Sequence, residues 1–188
     1  MLRDASASTP LSQHNLLEFL HYSDSMENAI VLEDTMKEIW KAHEDETMRQ
    51  RLDDGILDLL RGKQERALTA FLGIVNDDPL YAEAWNKIST CQYMMGDMGA
   101  SMDSATKALE LLPTHFQALA GLGLIQCETR RYKLATESFR RSLYLDPWSP
   151  VSARQSVCLD VLRGLDQEER IWSKEEEQGA AEGTAPYH

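Results

Sequence analysis

The chain is poor in the residues that most catalytic and metal chemistry needs. Its 188 residues hold 3 cysteines, Cys91, Cys127 and Cys158. They are widely spaced with no CxxC pair, which argues against a zinc site and against a disulfide framework. A reducing compartment is the simplest setting for such thiols. No glycine-rich phosphate loop and no serine elbow occur. Of 5 histidines, His14 and His21 could share a helix face, but two imidazoles do not make a metal site. Basic residues are also scarce, 19 Lys and Arg against 31 Asp and Glu. A polyanion such as nucleic acid needs clustered cations, so direct nucleic-acid binding is not expected. No long apolar run is present, so neither a membrane span nor an intact secretory signal is expected. A transit peptide, if the protein has one, would have been cut away or lie outside this sequence. The expectation is no catalytic residue, no cofactor and no metal.

What the chain does have is a period. Pro79, Pro113 and Pro147 stand 34 residues apart, and three further slots keep that register: Gly55, Ser89 and Gly123; Ala67, Ser101 and Ala135; Phe71, Ala105 and Phe139. Such a period is the mark of a solenoid of helical hairpins. Small residues midway along both helices of a pair let the helices approach. Trp85 and Phe139 are expected to fill the space beside that crossing, and Gly121 with Gly123 to allow tight packing in one helix. The proline closes each unit, because it has no amide to donate and disfavours helix in the residue before it.

These slots resemble the tetratricopeptide repeat (TPR) family over Met48 to Trp148, with departures at Arg51 and Asp54 in repeat one and at Ser89 and Ala105 in repeat two. A narrower likeness rests on Glu38-Ile39-Trp40, Ala82-Glu83-Ala84-Trp85-Asn86 and Thr114 to Ile125. These stretches resemble a bacterial-type TPR family with relatives in plants and algae, which implies an organellar home, plastid or mitochondrion, with the cytoplasm as alternative. The resulting expectation is an all-α solenoid. Residues 1–47 form an N-terminal extension and degenerate capping helix pair, and residues 48–147 carry three repeats, in the register 48–81, 82–115 and 116–149. A C-terminal capping helix follows over 148–166, headed by Ser149-Pro150, and then an acidic tail over 167–188 in which Trp172 is a possible docking residue. Helix pairs are expected at about 48–78, 82–111 and 116–145, with turns near Gly62, Gly96 and Arg130. Flanking helices are expected near 12–43 and 150–163, and no strand anywhere.

Charge supports this division. Residues 1–47 carry a net −7, residues 48–147 a net −1 and residues 148–188 a net −4. The repeats are nearly neutral between acidic flanks.

The resemblance also implies where a partner would sit. In the family, first helices line a concave groove, which here places Asn86, Thr90, Tyr93, Met94, Gln117, Leu124 and Glu128 toward it, together with Glu83, Ala120 and Cys127. A Met, a Tyr and amide side chains suit an extended or helical peptide. The alternative is that the N-terminal helices or the acidic tail fill the groove. The other candidate surface is a convex basic patch of Arg130, Arg131, Lys133, Arg140 and Arg141. The cationic clamp by which chaperone-binding members grip a peptide carboxylate is missing, since its positions hold Leu52, Ile56, Asn86, Thr90, Ala120 and Leu124. The function expected is a non-catalytic protein-interaction scaffold, an accessory or assembly subunit of a larger complex, with a free peptide-binding adaptor as the alternative and an enzyme or its regulatory subunit as a third.

Overall fold

The computed structural model describes residues 13–148. The proposed C-terminal helix, Cys158, Trp172, the acidic tail and the first ten residues lie outside the described residues. Eight helices follow in order: α1 (Gln13–His21), α2 (Met26–Lys41), α3 (Glu46–Leu60), α4 (Gln64–Asp77), α5 (Ala82–Met94), α6 (Met98–Leu111), α7 (Phe116–Glu128) and α8 (Tyr132–Leu145). Among the described residues there is no strand. The three expected helix pairs are α3–α4, α5–α6 and α7–α8.

The period reappears as repeated hydrogen bonds. At the end of α3, the Lys63 amide donates to the Asp58 carbonyl at 2.9 Å and the Gly62 amide to Leu59 at 3.0 Å. One repeat on, Asp97 donates to Gln92 at 2.9 Å and Gly96 to Tyr93 at 3.0 Å, and in the third repeat Arg131 donates to Gln126 at 2.7 Å and Arg130 to Cys127 at 3.0 Å. This helix stop needs a left-handed residue. Gly62 (φ 73°), Gly96 (φ 83°) and Arg130 (φ 58°) supply it. Only the third bears a side chain there, which the left-handed region penalises. Arg130→Gly should therefore raise stability by up to about 1 kcal/mol, read from the midpoint of a urea titration; an unchanged or lower midpoint would show that the Arg130 side chain compensates for its backbone.

The small-residue slots work by a swap of volume. A Cβ on Gly55 would lie 2.5 Å from Phe71 Cε1, and one on Gly123 2.3 Å from Phe139 Cε1. In both repeats the ring of the second helix fills the space that the glycine of the first leaves free. Phe139 thus sits at the crossing, not beside it. Repeat two inverts the arrangement, because Ala105 vacates the ring's space and Ser89 carries a side chain into it. The Ser89 hydroxyl donates to the Ser101 carbonyl at 2.9 Å, and Ser101 returns the bond to the Ser89 carbonyl at 2.8 Å. The apparent departure in repeat two is one coupled substitution. Trp85 instead lies half-buried at the edge of the core, its indole donating to the Pro79 carbonyl at 2.9 Å. Gly121 faces open space, so tight packing in α7 depends on Gly123. Arg51, at the position of Trp85, turns to Asp77 at 2.7 Å.

First helices pack directly on one another, α3 on α5 and α5 on α7, more closely than do the second helices α4, α6 and α8. A row built that way bends toward its first helices, so α3, α5 and α7 form the inner face.

The N-terminal helices depart from expectation. The hairpin α1–α2 does not stack before α3 as another repeat. It crosses to the second and third repeats, with α2 on α5 and α1 on α8. Leu16, Leu17, Leu20, Ala29, Met36 and Trp40 join Phe116 in one buried cluster, against which Leu112, Leu145 and Trp148 also pack. The physical reason is composition. The hairpin's apolar faces carry large side chains and no glycine, so they suit an apolar edge better than the close crossing of a repeat.

Candidate functional site

On α5, Asn86, Thr90, Tyr93 and Met94 follow spacings of four, three and one, and on α7 Gln117, Leu124 and Glu128 follow spacings of seven and four. Each set makes one helical face. Because α5 and α7 are packed side by side, the two faces meet on the inner side of the row. Their exposures then divide the groove in two.

In the half formed by the starts of α5 and α7, Glu83 (4% exposed), Asn86 (6%) and Ala120 (5%) are buried. The Asn86 amide donates to Glu83 Oε2 at 3.0 Å, and the same oxygen accepts from His115 Nε2 at 2.7 Å. His115 Nδ1 accepts the Ala118 amide at 3.3 Å, capping α7, which puts the ring proton on Nε2. Lys87 Nζ lies 2.9 Å from Glu83 Oε1. Burial acts to raise the Glu83 carboxyl, but the Lys87 charge and the His115 hydrogen bond outweigh it and hold the group down at about 2. Over this cluster lies Trp40 of α2, stacked on the His115 ring at 4.0 Å and edge-on to Phe116 at 4.7 Å. The N-terminal helices therefore occupy this half.

In the other half the side chains stay accessible. Thr90, Tyr93 and Cys127 are half-buried and Glu128 is exposed, while Met94 is 51% and Leu124 37% exposed; Gln117, at the start of α7, is half-buried at the covered end. The Thr90 hydroxyl donates to the Asn86 carbonyl at 3.0 Å. Burial, and next the Glu128 carboxylate, push the Tyr93 phenol up, so it stays a hydrogen-bond donor at any physiological pH. The result is an aromatic donor, a carboxylate and two flexible apolar side chains on one inward face. That combination is suited to main-chain and apolar contact with a peptide.

The cations proposed as one convex patch divide between the start of α8 and its second half. Arg130, Arg131 and Lys133 lie at its start, and Arg140 and Arg141 lie about 13 Å further along at 1.5 Å per residue. Arg131 approaches the Met102 sulfur at 3.2 Å and Arg140 reaches Glu137 at 3.5 Å. Arg140 and Arg141 line a shallow open pocket with Pro113, Thr114, Tyr144 and Leu145. The histidines considered for metal part company: His14 faces Glu18 at 3.5 Å, and His21 donates from Nδ1 to the Tyr144 carbonyl at 2.6 Å. Among the described residues no group of three or more His, Cys, Asp or Glu is placed to hold a metal. No described helix is long and apolar enough to cross a membrane. Burial raises the Cys91 thiol to about 11, against a smaller opposing pull from Lys87, consistent with a side chain that only packs.

Sequence reasoning missed the role of Tyr81 and His115. They share a register position, one repeat apart, just before a first helix, and both receive the N-terminal hairpin. Tyr81 donates its hydroxyl to the Lys41 carbonyl, and His115 takes the Trp40 ring. The available signal was a ring residue recurring in a turn slot.

No protein-family model matches the chain. A TPR repeat-containing protein of Rhizobium etli is 33% identical over 69 residues, 37% of this chain and 34% of that protein. The chain's match thus spans about a third of that relative's length. Among solved structures, the first TPR of Spaghetti (RPAP3) bound to an HSP90 peptide superposes with a TM-score of 0.60 at 13% identity, covering 65% of this chain and 94% of that one. The Yersinia enterocolitica type III secretion chaperone SycD, in complex with a peptide of the translocator YopD, gives 0.61 at 15% identity, with coverages of 65% and 97%. The Arabidopsis OM64 TPR domain gives 0.59 at 18%, with coverages of 63% and 96%.

Proposed function

We propose that this chain is a tetratricopeptide-repeat protein and a non-catalytic scaffold holding a segment of a partner protein in the open half of its groove. The observation that carries the reading is the split of the inner face: one half sealed by α2, the other presenting Thr90, Tyr93, Met94, Leu124 and Glu128 to solvent. Neighbouring folds were solved with peptides bound, which supports a peptide as the class of ligand. A carboxylate-ended chaperone tail is disfavoured, because Asn86 is committed to Glu83 and an anion there would meet a buried carboxylate. The Glu83–His115 pair has the composition of an acid–base dyad. Yet His115 is 0% exposed and lies beneath Trp40, so with α2 seated no substrate reaches it, and we read its role as structural.

A lasting subunit or assembly factor of a larger complex fits the acidic flanks beside nearly neutral repeats, and an organellar setting would follow from the plant and algal likeness. A free adaptor is the second reading, favoured by the peptide complexes of neighbouring folds. Size-exclusion chromatography of native extract separates them: a subunit co-elutes with a large particle, an adaptor with small species.

For the binding face itself, a pull-down of the native partner should weaken by about 2 kcal/mol or more in Tyr93→Ala with Gln117→Ala, as for loss of an interfacial aromatic anchor. Arg140→Glu with Arg141→Glu should bind as the parent does. The reverse pattern would move the function to α8.

A further inference from the structure

Helix α2 covers one half of the inner face while α1 packs on α8, and the seat of this hairpin is imperfect. Trp40 is 5% exposed, yet its indole N–H is buried with no hydrogen-bond acceptor. A buried donor of this kind costs free energy that a solvated one does not. The hairpin also presents Phe19 (55%), Met26 (60%), Ile30 (53%) and Val31 (62%) to solvent, so its apolar surface is only half used. Neither of its helices joins the interlocked crossings that bind each repeat. Beyond its buried cluster and the Tyr81–Lys41 and His21–Tyr144 hydrogen bonds, its ties to the repeats are ion pairs, Lys41 to Asp53 at 3.6 Å and Glu38 to Arg49 at 3.4 Å, and partly exposed pairs of this type hold weakly. By contrast, the surface beneath is built to receive a helix: an aromatic floor of His115 and Phe116, a hydroxyl from Tyr81, and an acidic wall at Asp53.

We propose that α1–α2 is an in-chain stand-in for a partner helix, displaced when an amphipathic helix of the partner lays an aromatic ring on His115 and Phe116 and a basic side chain toward Asp53. This rests on the groove being the binding face and adds the chemistry of the ligand: an aromatic followed by a cation, as Trp40-Lys41 has it. Displacement would open the buried half of the groove and join it to the half that is already accessible. The surface available to the partner would then run the length of α5 and α7.

Two measurements on the full chain test this. In native-state hydrogen exchange, amides of α2 should exchange at least tenfold faster than those of α5 and α7; exchange of all three at one common rate makes the hairpin part of the core and overturns the proposal. In the second, a fluorescent synthetic peptide of residues 26–41 is titrated into the parent and into Trp40→Ala. The peptide should bind the variant at least tenfold tighter than the parent, and a peptide carrying Ala in place of Trp40 should bind neither. Equal affinity for both chains, or no binding to either, overturns the proposal. Should Trp40→Ala lose the helical fold by circular dichroism, the exchange result on the parent decides alone. A parent that elutes as a dimer with exchanged hairpins would give the seat to a second copy and likewise overturn it. The groove variants at Tyr93 and Gln117 report independently, so a locked hairpin with a partner lost on Tyr93→Ala would retain the functional reading while removing this one.

Discussion

Phe139→Ala should lower the unfolding free energy by about 3–5 kcal/mol, because the ring is 1% exposed and fills the gap left by Gly123. Gly123→Ser alone should cost about 1–3 kcal/mol by overpacking, since any Cβ there meets Phe139 at 2.3 Å. Together the two should cost less than their sum by at least about 1 kcal/mol, the coupling expected of residues in contact. Repeat two supplies the precedent, for it carries Ser89 with Ala105 and remains as well packed as its neighbours, with Ser89 5% and Ala105 1% exposed. Urea denaturation of the parent, both single variants and the double variant completes the cycle. Strict additivity would show that the glycine and the ring are independent and that the volume swap is an accident of repeat two.

Glu83→Gln is expected to destabilise by about 3 kcal/mol at pH 7, as when one partner is taken from a buried ion pair. The substitution leaves the partly buried Lys87 without its carboxylate. The pH dependence gives a second signature. Glu83 has a folded value of about 2 against an ordinary 4.5, so its contribution is complete above 4.5 and is lost as pH falls toward 2. The difference between parent and variant should therefore be constant from pH 7 to about 5, then shrink and close near pH 2. Denaturation series at pH 7, 5, 4 and 3 measure this. A gap that stays open to pH 3 with no decline would show that the carboxylate charge is not what stabilises the cluster. The exposed Asp45 and Asp77, whose carboxyls are also lowered, are common to both chains and cancel in the comparison.

The repeat architecture was legible in the sequence because every unit solves the same local problem. Pro79, Pro113 and Pro147 must end helices, Gly62 and Gly96 must turn, and Gly55 and Gly123 must let the paired helices approach. Each of these is a short-range constraint that a fixed spacing exposes. The inner face came instead from the family resemblance, whose groove positions on α5 and α7 fall on Thr90, Tyr93, Leu124 and Glu128 without knowledge of what lies opposite. What the tertiary structure alone decided is which part of that face is free. Nothing in the spacing of Glu38-Ile39-Trp40 states that Trp40 lands on a ring 75 positions later in the chain, at His115. Nor does the spacing show that Glu83 and Asn86 are thereby sealed. Local sequence fixes how each helix pairs with its neighbour through close contacts of small residues. The path of a hairpin without the repeat's small-residue register is set by whichever distant apolar surface buries its large side chains best.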